Sequence, residues 1–98
     1  MEVEHLSQEL ERLETEAGFN AGFSAAIVAG YHKVMRFIRA AKDERDFRAM
    51  RSLNFEKLKG SRSHQHSMRI NQQWRLILEL KQANPKNVVV VVAIEDYH

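Results

Sequence analysis

The chain contains no cysteine. That excludes disulfides and thiolate metal sites, and it fits a reducing cytoplasm as the expected location. No long apolar run is present either. The longest, Val88 to Ile94, is far short of the roughly 20 residues that a spanning helix needs, so no membrane association is expected. Glu2 and Glu4 stand where a secretory leader would carry basic residues, so no leader is expected. A glycine-rich phosphate loop, a serine-nucleophile motif, a helix-turn-helix and internal repeats are all missing. An acidic first helix would repel DNA.

What is present fits one small domain over residues 1–98. The net charge is only +2, yet its distribution is uneven. Residues 2, 4, 9, 11, 14 and 16 are acidic, and Arg12 is the sole cation among the first twenty residues. Most Lys and Arg fall between residues 31 and 81. A basic middle behind an acidic start can serve a polyanion partner. On charge alone, a solvated basic surface with no ligand is the simpler reading.

Met1 to His5 reads as a short strand with Val3 inward. Leu6, Leu10, Leu13 and Ala17 then recur at helical spacing, with Ser7 as N-cap and Glu9, Glu11 and Glu14 near the positive helix end. Gly18 and Gly22 bracket a loop that tucks in Phe19 and Phe23. A second helix is predicted from about Ser24 to Lys42, with Ile27, Tyr31, Val34 and Ile38 as its buried stripe, widened by Val28 and Met35. His32 falls off the stripe and reads as a surface histidine. Phe47 and Met50 anchor a short third helix, and Leu53 or Phe55 seats the loop after it.

From Leu58-Lys59-Gly60 onward the pattern is β. His66 to Ile70 is one strand and Asn71-Gln72-Gln73 a tight connection. Trp74 to Leu80 alternates, with Trp74, Leu76, Leu78 and Leu80 on one face and Arg75, Ile77 and Glu79 on the other. Asn84-Pro85-Lys86-Asn87 is a turn by composition. Val88 to Ile94, almost wholly β-branched, suits a central strand covered on both faces. The expected class is α+β: a small antiparallel sheet, made of a C-terminal three-stranded meander and an N-terminal strand, packed on one face by two or three helices.

Cleaving an RNA phosphodiester without metal needs a base for the 2′-hydroxyl, an acid for the 5′-oxygen and cations for the charge that builds on phosphorus. The sequence supplies His98, Tyr97, Asp96 and Glu56 as proton-handling groups. Lys57, Lys59, Arg69 and Arg75 are available as phosphate clamps. The same inventory fits plain nucleic-acid binding. His64 and His66 would share one strand face, and a metal could use them. With no cysteine and no third ligand the simpler reading is a polar loop, so no metal or other cofactor is expected.

Leu58-Lys59-Gly60, Ser67-Met68-Arg69-Ile70-Asn71, Trp74-Arg75 and the closing Glu95-Asp96-Tyr97-His98, in that order, resemble the HigB toxins of the RelE/ParE superfamily. The resemblance is close from about Leu53 onward. It implies a fold similar to microbial ribonucleases and a role as the toxin of a type II toxin–antitoxin pair. The implied activity is that of an mRNA interferase, cutting translated mRNA in the ribosomal A site without metal. The implied partners are the ribosome, mRNA and a HigA-type helix-turn-helix antitoxin, with operator DNA reached only through the toxin–antitoxin complex. By position His98 resembles the terminal catalytic histidine, with Tyr97 and Asp96 beside it. Lys59 and Arg75 match the cations at the scissile phosphate, and Lys57, Arg62, Arg69, His64 and His66 extend the RNA-binding surface. Some members carry a second histidine two residues before Leu-Lys-Gly, where this chain has Glu56. A ParE-like gyrase inhibitor and a non-catalytic RNA-binding module share the fold, and neither has a use for Asp-Tyr-His.

Overall fold

The computed structural model describes residues 1–96. The sequence readings on Tyr97 and His98 lie outside the described residues. Strand β1 (Val3–His5) leads into helix α1 (Gln8–Thr15), followed by α2 (Ala25–Ala40) and α3 (Glu44–Ala49). Then come β2 (Glu56–Lys57), β3 (His66–Arg69), β4 (Trp74–Lys81) and β5 (Val88–Asp96). They form one sheet in the order β1-β5-β4-β3-β2. Among the described residues only the β1–β5 pair is parallel. The class is α+β, as the pattern predicts.

Local chemistry places the helices. Ser7 Oγ accepts from the Glu9 and Leu10 amides, and Ser24 Oγ from Ile27, so both predicted caps close a helix start. The α2 stripe of Ile27, Tyr31, Val34, Met35 and Ile38 is buried against Met68, Leu76, Leu78, Val89 and Val91 of the sheet. Gly30 lets the helix come close: a Cβ there would lie 2.6 Å from Ile70 Cγ2 and 3.0 Å from the Ile70 carbonyl oxygen.

Several expectations need correcting. Leu6 is exposed, because its amide bonds Val91 and it continues β1 rather than joining the helical face. Ala17 is exposed because α1 stops at Thr15 and Glu16 turns to extended backbone. Met50 also faces outward, at the extended C-cap of α3, while Phe47 is buried alone. His32 is half-buried, its Nε2 donating to the Leu13 carbonyl at 2.6 Å and tying α2 to α1. Strand β2 was not expected. Strand β5 is central, between β1 and β4; Val89 and Val91 are fully buried on its helix side, while on the other face Val88 is buried but Val90 and Val92 are only half-buried.

The β4–β5 ladder contains one irregularity. Ile77 pairs with Ala93, whereas Leu78 pairs with Val91, which leaves Val92 as an extra residue. The bulge inverts the facing of everything after it. Ile94 therefore opposes Leu76 on the helix side, and Glu95 opposes Arg75 on the other.

Candidate active site

The sheet face away from the helices carries the charge. Arg69 on β3 pairs in register with Arg75 on β4, which pairs with Glu95 on β5. One row across three strands therefore reads Arg, Arg, Glu. Like charges placed directly opposite one another repel, and Glu95 offsets part of that repulsion. The next row is Glu56, Ser67, Ile77 and Ala93.

Arg75 is only 4% exposed. A buried guanidinium must be met by acceptors. One is the Asn54 carbonyl, which accepts from Nη1 at 3.2 Å. Asn54 supplies it from a left-handed conformation, φ 46° and ψ 55°, at the end of the 3-10 turn Arg51–Leu53. Asparagine tolerates that region better than most residues.

Residues 58–65 curl over this face as a strap. The Leu58 amide bonds the Gln65 carbonyl at the strap's neck, and Gly60 turns the chain with φ +67°. Arg62 then reaches across to Glu95 at 2.8 Å and also donates to Gln65 at 3.0 Å. Gln65 Nε2 donates to Glu79 on β4, and His64 lies 3.7 Å from the same carboxylate. Between strap and sheet is a cleft of about 220 Å³ lined by Leu58, Arg62, Ser67, Arg75, Ile77, Glu95 and Asp96. Ser67 is 1% exposed, and its Oγ has no hydrogen-bond partner. A buried unpaired hydroxyl costs about 1–3 kcal/mol.

The expected site residues separate on this frame. Arg62, Arg75 and Asp96 border the cleft. Arg69 is in the Arg75 row and exposed, and Glu56 is exposed on the same face one row away. Lys59 is exposed where the strap begins. Asp96 pairs with Trp74 and accepts from Gln73 Nε2 at 3.1 Å, so it stands at the rim rather than beside Arg75. His64 and His66 do not share a face. His66 turns to the helix side and stacks on Phe55 at 4.8 Å, with Arg48 over the far ring. Burial, then Arg48 and Lys57, push its pKa down, which favours the neutral ring. Lys57 pairs with His66 and lies on that same side. Among the described residues no group of three or more His, Asp or Glu converges to hold a metal.

Glu95, Ser67 and Asn54 were missed. Period-2 spacing puts Ser67 on the Arg69 face and could have found it. Nothing in the sequence marks Val92 as a bulge, so Glu95 could not be placed.

A family model for the RelE-like HigB toxin of type II toxin–antitoxin systems matches residues 8–98. The chain belongs to this HigB-like toxin family. As a HigB-like toxin it is one half of a toxin–antitoxin pair, so an antitoxin partner follows from the family. Eight chains of solved structures also match. One, a YoeB/ParE toxin from Agrobacterium tumefaciens, is 15% identical, covers all of both chains and aligns with a TM-score of 0.62. At that identity the likeness speaks to the HigB-like fold alone. No curated protein matches the chain.

Proposed function

We propose that this HigB-like toxin is a metal-independent endoribonuclease that cuts translated mRNA at the ribosomal A site and is neutralised by a HigA-type antitoxin. The observation that carries the reading is the cross-strand row of Arg69 and buried Arg75, walled by Arg62. Adjacent guanidiniums on one sheet face make a cationic row that favours an anion lying across it, and the planar fork of arginine matches a phosphodiester.

In the proposed step the 2′-oxygen forms a bond to phosphorus as the bond from phosphorus to the 5′-oxygen breaks. The 2′-proton passes to a carboxylate, with Glu56 the candidate on the open face. His98 returns a proton to the leaving 5′-oxygen, with Tyr97 and Asp96 beside it. The products are a 2′,3′-cyclic phosphate and a 5′-hydroxyl. Arg75, with Lys59 and Arg69, stabilises the charge gained at phosphorus. The ribosome supplies the mRNA, and operator DNA is bound only through the antitoxin complex. Action is expected in the cytoplasm.

The test uses ribosomes carrying a defined mRNA and maps new 5′ ends. Wild type should create ends within the A-site codon, in EDTA buffered so that the ribosomes keep their magnesium. Deleting His98 should remove those ends while leaving the melting curve and antitoxin capture unchanged. Intact mRNA with wild-type protein would overturn the reading.

A further inference from the structure

Ser67 sits at the centre of β3, flanked by Glu56 on β2 and Ile77 on β4. It belongs to the face that carries Arg75, and its direct partner Ile77 is two residues from Arg75. That makes Ser67 and Arg75 diagonal cross-strand neighbours, a spacing of about 7–8 Å, which one tetrahedral anion and a long guanidinium side chain can close. Both are buried on the cleft floor, at 1% and 4% exposure. Buried hydroxyls in folded proteins nearly always have a partner. A hydrogen-bond partner is missing for Ser67 Oγ.

Resting on the ribonuclease reading, we propose that Ser67 Oγ is a substrate-contacting residue, donating to a non-bridging phosphate oxygen that the Arg75 guanidinium also holds. The hydroxyl has only one proton to give, and a phosphate oxygen is an acceptor only, so the pairing is chemically matched. The strap seals the seat. Its outer anchor is the Arg62–Glu95 pair, in which a carboxylate occupies a guanidinium that could equally take a phosphate oxygen. An entering phosphodiester competes with Glu95 for Arg62, loosens the strap and reaches Ser67 beneath it.

Two measurements on Ser67→Ala test this. The first is thermal melting with inorganic phosphate titrated against chloride at constant ionic strength. Wild type should gain melting temperature with phosphate. The variant should melt at the same temperature or higher without phosphate, because it loses no bond, and should show little phosphate shift. The second is mRNA cleavage on ribosomes, where the variant should lose about 10- to 100-fold in rate, the value of a hydrogen bond to a charged group. A variant that matches wild type in both assays overturns the assignment. A variant that melts several degrees lower, or fails to fold, also overturns it, since the hydroxyl would then have a structural partner. Arg75→Lys run alongside separates the two claims. If Arg75→Lys impairs cleavage and Ser67→Ala does not, the ribonuclease reading stands and the serine inference falls. If wild type does not cleave but shows a Ser67-dependent phosphate shift, the anion seat stands and the ribonuclease reading falls.

Discussion

Arg75 holds a permanent charge where water hardly reaches, and its substitutions separate two effects. Arg75→Ala removes the donor to Asn54 and leaves that carbonyl without it, so it should destabilise the fold as well as stop cleavage. Arg75→Lys keeps the charge but not the fork. It should fold closer to wild type and still lose about 10²–10³ in cleavage rate, measured on the same programmed ribosomes. A second residue, Glu14, makes a prediction about pH. Its carboxyl is pulled below the usual range chiefly by the Arg39 hydrogen bond, opposed by burial, with His5 adding to the pull. A lowered folded pKa contributes stability fully above the unfolded value, near 4.5, and loses it as pH falls through the folded one. Glu14→Gln should therefore melt below wild type at pH 7, and the gap should narrow as pH falls below the unfolded value and through the lowered folded one. A gap that is constant with pH would show packing, not charge, at this position.

Between elements, close approach and edge contacts decide stability. The α2 backbone passes so near β3 that a methyl at Gly30 meets both the Ile70 side chain and its carbonyl. Gly30→Ala gains about 1 kcal/mol of helix propensity, yet overpacking against backbone costs typically 1–3 kcal/mol. A net lower melting temperature is expected. Trp74 is half-buried and meets Phe23 edge-on at 6.0 Å, pinning the loop after α1 to the sheet. Trp74→Ala should lower stability by nearer 3 than 5 kcal/mol, since full burial sets the upper figure. If that variant melts like wild type but no longer binds RNA, base stacking would be its role instead.

Across the whole molecule, charge is segregated. Exposed Glu9 and Glu11 lie on α1, while Arg62, Arg69 and Arg75 share the face away from the helices. A single strand engaging three cations should show an affinity that falls with salt, at a log–log slope of about −2, or roughly −0.7 per phosphate contact. Arg69→Ala should make the slope shallower by about one such contact. A slope near zero would mean that the face does not neutralise phosphates. Among the described residues no helix is long and apolar enough to cross a membrane.

The sequence by itself determined whatever depends on near neighbours along the chain. Ser7 and Ser24 cap because a hydroxyl needs only the next three amides. The α2 stripe is legible because 3.6-residue spacing is a local property, and β3 and β4 read as strands from alternation. Ser67, Arg69 and Arg75 could be given a common face in the same way. Tertiary structure alone decided the rest. The facing of a strand is defined by its partner, and one unpaired residue, Val92, inverts it. Counting outward from buried Val89 and Val91 would send Glu95 into the core, whereas the bulge sets it against Arg75 on the open face. Strap closure likewise joins Arg62 to Glu95, 33 residues away, through a side-chain contact that no local pattern encodes. Ser67 is a polar strand residue in sequence; its burial and its unpartnered hydroxyl on the cleft floor are set by the elements that meet there.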